Sequence, residues 1–112
     1  MAPFLSKEVI TMVFLGRFDE ISPNKGYPSM KNRMMDTRYT GQDRVVSYLR
    51  HGKMIMAAAG ASKPDVFTGE PITAENGILS DDTYAWGSEL AYYVDKYNVR
   101  LPREFEEHIG IN

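Results

Sequence analysis

The sequence predicts an α+β fold: a small antiparallel β-sheet, a meander ending in a hairpin, with helices packed on one face. Three observations carry this. Short apolar runs bounded by glycines and Ser/Asp turns recur between residues 53 and 87, and two segments, 41–51 and 89–97, place apolar residues at helical spacing. Pro102 with Glu104 then opens a last short helix carrying Phe105 and Ile109.

In chain order, Ser6 to Ile21 is open between strand and buried helix. Val9 to Leu15 is a continuous apolar run whose length favours a helix and whose β-branching favours a strand. Two prolines, a glycine and an asparagine make 22–28 a loop, and 29–39, basic and Met-rich, reads as a short helix or an ordered loop. Thr40 and Asp43 resemble a capping box ahead of a helix over 41–51 with Val45, Val46 and Leu49 on its apolar face, and Gly52 sits at its end. The run 53–59 reads as a buried strand and 60–64 as its turn; 65–68 and 77–80 read as further strands. Asp81 and Asp82 form a tight turn into Tyr84-Ala85-Trp86, and Leu90, Tyr93, Val94 and Tyr97 recur at helical spacing.

The chain has 112 residues, enough for one core, so residues 1–112 read as a single domain. Its 43% apolar and 25% charged content is globular, and the absence of cysteine excludes disulfides, thiolate metal sites and cysteine nucleophiles. The early apolar run is too short to span a bilayer, and it lies between Glu8 and Arg17 without a small-residue cleavage site. These features point to a cytoplasmic protein beginning at its own Met1.

Charge is polarised along the chain. Residues 1–64 hold ten Lys/Arg against five Asp/Glu, and residues 65–112 hold three against ten. Between Lys63 and Lys96 there is no Lys or Arg but there are seven carboxylates. Fields of this kind select partners and speed encounter, which favours binding over catalysis. No phosphate-binding glycine loop and no G-x-S-x-G elbow is present. His51 and His108 lie on different helices and need a carboxylate from elsewhere to form an acid/base or metal pair; for His51, the favourable position of a cation in a last helical turn is explanation enough. The pairs Asp81/Asp82 and Glu106/Glu107 have the composition for a cation or for acid/base work, but Ser-Asp-Asp-Thr is accounted for by hydrogen bonds to its own backbone. The reading is therefore non-enzymatic, without cofactor or metal.

Several features resemble small bacterial proteins of the immunity type, partners of polymorphic or contact-dependent growth-inhibition toxins. They are the segment 43–50 (DRVVSYLR), Asp65-Val66 with Thr68-Gly69, Leu79-Ser80-Asp81-Asp82 with Tyr84 and Trp86, Leu90-Ala91-Tyr92-Tyr93-Val94 with Lys96-Tyr97, and Leu101-Pro102 with Glu104-Phe105 and His108-Ile109. The resemblance implies a non-catalytic protein that binds a cognate toxin and blocks it; it transfers no catalytic residue. The acidic, aromatic-bearing second half suits a toxin with a basic surface, a nuclease being the fitting class. The contact candidates are Asp81, Asp82, Trp86, Glu89, Tyr92, Glu104, Glu106 and Glu107. The rival reading is a nucleic-acid-binding regulator using Lys25, Lys31, Arg33, Arg38, Arg44, Arg50 and Lys53 with interleaved tyrosines, against which stands a pI near 5.6.

Overall fold

The computed structural model describes residues 12–60 and 62–111. In chain order the elements are β1 (Val13–Leu15), a 3-10 turn (Met30–Arg33), α1 (Gln42–Arg50), β2 (Lys53–Ala57), β3 (Gly77–Ser80), β4 (Tyr84–Gly87), α2 (Leu90–Tyr97) and α3 (Arg103–His108). The strands form one sheet in the order β1-β4-β3-β2. The fold is α+β, and β2, β3 and β4 form the antiparallel meander that the sequence implies. The sheet as a whole is mixed, because β1 joins β4 in parallel. The ambiguous opening run is thus a strand over its last three residues; its portion from Ser6 to Thr11 lies outside the described residues. Parallel neighbours need a long crossover, and here residues 16–83 supply it, so no local pattern announces the pairing.

The register aligns Leu15 with Trp86, Trp86 with Leu79, and Leu79 with Met54 across the sheet. Alternation along a strand puts these side chains on one face, and the helices pack there. The Trp86 indole N–H donates to the Leu49 carbonyl of α1 at 3.1 Å. The Phe105 ring of α3 meets Tyr84 edge-on at 5.0 Å. Val45, Val46 and Leu49 of α1 and Leu90, Tyr93 and Val94 of α2 are buried, as helical spacing requires of an inward stripe.

Four local expectations are corrected. The Thr40/Asp43 capping box does not form: Gly41, at φ 87°, is the N-cap, with no side-chain cap. Gln42 Oε1 instead accepts the Tyr39 amide at 3.0 Å, and Asp43 turns outward to Arg38. Gly52 is not a left-handed cap. It is glycine because a Cβ there would sit 2.6 Å from Trp86 Cζ2, closer than atoms can approach. Residues 65–68 are a turn rather than a strand, since the Asp65 carboxylate accepts the amides of Phe67 at 2.7 Å and Thr68 at 3.2 Å and bends the chain. Finally, β2 is not buried. It is the terminal strand, and Ile55 is 45% and Met56 60% exposed.

The basic first half is stitched to the C-terminal half. Arg33 donates to the Arg100 carbonyl at 2.9 Å and the Leu101 carbonyl at 3.1 Å, and Arg44 Nη2 donates to the Ile109 carbonyl at 2.7 Å. The buried Gln42 amide donates to the Val94 carbonyl and to Asn98 Oδ1, each at 2.9 Å. A buried amide leaves its partners costly to remove, so this seam fixes where α2 and α3 sit.

Candidate functional site

The turn between β3 and β4 is built by its own side chains. Asp81 Oδ1 accepts the amides of Thr83 at 2.9 Å and Tyr84 at 2.7 Å, and Ser80 Oγ accepts the Asp82 amide at 2.9 Å. These are the backbone hydrogen bonds that Ser-Asp-Asp-Thr implies. Asp82 stands at φ 77°, a conformation that Asp tolerates better than most residues, and faces solvent. Asp81 Oδ2 accepts the Tyr48 hydroxyl of α1 at 2.5 Å and contacts His108 Nε2 of α3 at 2.8 Å. The His108 ring also lies 5.0 Å from that of Tyr84. Burial pushes the Asp81 carboxyl up, but the hydrogen bonds from Tyr48, Tyr84, Thr83 and His108 outweigh it and hold the group below its ordinary value. Burial and the bond to Asp81 push the Tyr48 hydroxyl up to about 12.

This arrangement joins residues that are far apart in sequence. The turn of Asp81 and Asp82 is brought against α3, the helix that carries Glu104, Glu107 and His108. Glu104 is exposed, and neither it nor Asp82 has an ion-pair partner among the described residues. Glu107 is exposed and pairs with Arg103 at 3.1 Å. Chemically, Asp81 is saturated, and among the described residues no hydroxyl is hydrogen-bonded to His108. The Asp81–His108 contact joins the hairpin to the helix.

The other sequence candidates sit elsewhere. Trp86 has no exposed surface and belongs to the core. Glu106 is buried, and its two oxygens accept Arg100 Nε at 2.9 Å and Nη2 at 3.1 Å. Glu89, at the N-cap of α2, is half-buried, and burial raises its carboxyl. Tyr92 does leave the Leu90/Val94 face, as its spacing implies, but its hydroxyl donates to Asp65 at 2.6 Å. It is spoken for within the fold.

Asp65, which the sequence offers only as one of the acidic stretch's carboxylates and the start of a strand, has a structural role that sequence reasoning missed. Its side chain is fully buried, and it accepts the hydroxyls of Tyr92 and Tyr97 at 2.6 and 2.7 Å together with two amides. Lys96 Nζ lies 3.7 Å away and pairs with Glu70 at 2.8 Å. Burial pushes the Asp65 carboxyl up, and its four hydrogen bonds overcome this and hold it far below the carboxylate range. The Val66 amide donates to the Tyr93 hydroxyl at 3.0 Å, so three tyrosines of α2 hold one loop. The available signal was Asp-x-x-Thr-Gly followed by three tyrosines on one helix, but nothing local joins the two.

Of the basic residues proposed for nucleic acid, Arg33 and Arg44 hold carbonyls, while Arg38 and Arg50 contact Asp95 at 3.1 and 3.7 Å. His51 Nδ1 binds its own helix at the Ser47 carbonyl, 2.7 Å away. Among the described residues no group of three or more His, Asp or Glu is placed to hold a metal ion, and no helix is long and apolar enough to cross a membrane. Comparison with known protein families, curated proteins and solved structures finds no match to this chain.

Proposed function

We propose that this chain is a non-catalytic, immunity-type protein that binds and neutralises a cognate toxin domain. Its docking surface is the acidic end formed by the β3–β4 turn and α3. The observation that supports the reading is the Asp81–His108 contact, which joins the turn carrying Asp82 to the helix carrying Glu104, two solvent-facing carboxylates with no ion-pair partner among the described residues. Uncompensated carboxylates on a pinned turn and helix steer a basic partner with little ordering cost. A toxin with a phosphate-binding groove, such as a nuclease, has the complementary charge, and the proposal puts the protein in the cytoplasm with it. Asp81 and His108 position this surface rather than contact the partner, and Trp86 and Glu106 support it from inside. The nucleic-acid reading loses ground because four of its seven basic side chains hold groups of the chain itself.

The test is affinity capture from the source cells at low and then high salt, with the retained material identified by mass spectrometry and checked for nucleic acid. A single stoichiometric protein with a basic domain is the expected result. Its association should slow about tenfold for an Asp82→Asn, Glu104→Lys variant. Unchanged association and salt dependence, or nucleic acid released by salt with no protein partner, would overturn the reading.

A further inference from the structure

The loop into β3 ends in a chemically labile pair. Asparagine is a thermolabile residue, because the backbone nitrogen of the residue that follows can attack its carboxamide, and a Cβ on that residue hinders the approach. Asn24, Asn32 and Asn98 precede lysine, arginine and valine, whereas Asn76 precedes Gly77.

The sheet itself demands this glycine. A Cβ at 77 would sit 2.3 Å from the Met56 carbonyl oxygen and 2.5 Å from Met54 Sδ, and the first of these is backbone that cannot swing aside. Gly77 pairs with Ala57 of β2, and the Ala58 amide donates to the Asn76 carbonyl at 2.9 Å. The packing of β2 on β3 therefore keeps a glycine next to Asn76. The Asn76 carboxamide is half-exposed and bonds to no group among the described residues.

The attacking nitrogen, by contrast, is held. Gly77 lies one position beyond the last residue pair of β3 and β4, so its N–H meets no strand carbonyl. It donates instead to the Ser88 hydroxyl at 3.2 Å, while the Gly77 carbonyl accepts the Ser88 amide at 2.9 Å. That donated bond must open before the nitrogen can lose its proton, as it must in amide hydrogen exchange.

We propose that Asn76 is a deamidation site gated by Ser88. When the Gly77–Ser88 bond opens, solvent base removes the Gly77 N–H proton and the nitrogen bonds to Asn76 Cγ. The carboxamide C–N bond breaks, and ammonia leaves with a solvent proton. Water then opens the resulting succinimide at either carbonyl, giving aspartate or isoaspartate at 76. Both products place a new carboxylate beside Glu75, within the stretch that has no Lys or Arg. Isoaspartate also runs the chain through the side-chain carbonyl, one carbon longer, and takes the carbonyl that Ala58 binds out of the backbone.

The test is incubation of the full chain at mildly alkaline pH, with peptide mass spectrometry for the amide-to-acid mass gain and isoaspartyl methyltransferase labelling to separate the two products. Conversion at Asn76 ahead of Asn24, Asn32 and Asn98 is expected. Ser88→Ala should speed it about fivefold, the equivalent of one hydrogen bond, while Ser88→Thr, which keeps the hydroxyl, should not. The urea-unfolded chain should convert at Asn76 faster than the folded one. Hydrogen exchange of the Ala58 amide should rise in the isoaspartate product but not in Asn76→Asp, which adds the charge alone. Earlier conversion at another asparagine, or equal rates in the native chain and a folded Ser88→Ala, would overturn the proposal. So would equal rates in folded and urea-unfolded chain, a comparison that stands even where Ser88→Ala fails to fold.

Discussion

Asp65 gathers as many hydrogen bonds on its carboxylate as Asp81, and does so with a fully buried side chain. Its carboxylate is buried and accepts two tyrosine hydroxyls and two amides, so removing it strands four donors at once. Asp65→Ala should cost about 3 kcal/mol in urea unfolding. Tyr92→Phe and Tyr97→Phe should cost about 1 kcal/mol each. Because both hydroxyls serve one carboxylate, the double variant should depart from the sum of the singles. The folded-state pKa of Asp65 lies below its unfolded value. Its contribution is therefore complete above the unfolded value, about 3.9, and is lost as pH falls below it. Asp81 and Glu20 are lowered too and act in the same sense. The measurement is stability against pH for the native chain and Asp65→Asn: the variant should be less stable at pH 7 and lose less on acidification. Parallel curves would show that Asp65 does not carry the acid sensitivity.

At the level of elements, what was legible is what is encoded nearby. The stripes of α1 and α2, the Pro102 start of α3 and the Ser80–Thr83 turn all follow from spacing or turn chemistry within one segment. The parallel addition of β1 was not legible, because its partner lies about seventy residues away. Nor was the exposure of β2. An apolar run reads as buried, but burial depends on sheet order, and β2 is last in that order. The candidate site divides the same way. Asp82 and Glu104 face solvent as their charge implies, whereas Trp86 and Glu106 were drawn inward by packing and by Arg100. A terminal strand with exposed Ile55 and Met56 is a template for unwanted pairing, which natural edges blunt with lysine. Lys53 alone does so here. Met56→Lys should change unfolding free energy by no more than about 0.5 kcal/mol, while lowering light scattering on prolonged incubation of concentrated protein. A large loss of stability would instead mean that the Met56 side chain packs within the fold.

Across the whole molecule, part of the charge split along the chain is folded back on itself. Arg38 and Arg50 of the basic half meet Asp95 of the acidic half, and Arg33 and Arg44 cap carbonyls near the C-terminal helix. What looks like two opposed fields in one dimension becomes, in three, a seam of contacts with a few carboxylates left over, Asp82 and Glu104 among them. Stability and binding should therefore answer to salt differently. Ion pairs as exposed as Arg38–Asp43 and Arg50–Asp95 contribute little and are screened. The seam also rests on hydrogen bonds from Arg33, Arg44 and Gln42 to uncharged carbonyls, which salt affects far less than exposed ion pairs. Raising NaCl from about 0.05 to about 0.5 M should shift unfolding free energy by less than about 1 kcal/mol, while association with a basic partner slows steeply over the same range. Denaturant curves and stopped-flow association at matched salt concentrations make the comparison. If stability fell by several kcal/mol with salt, the ion pairs rather than the hydrogen-bonded seam would be holding the two halves together. A salt-dependent on-rate could then report loosening of the fold, and the leftover carboxylates would lose their standing as the steering surface.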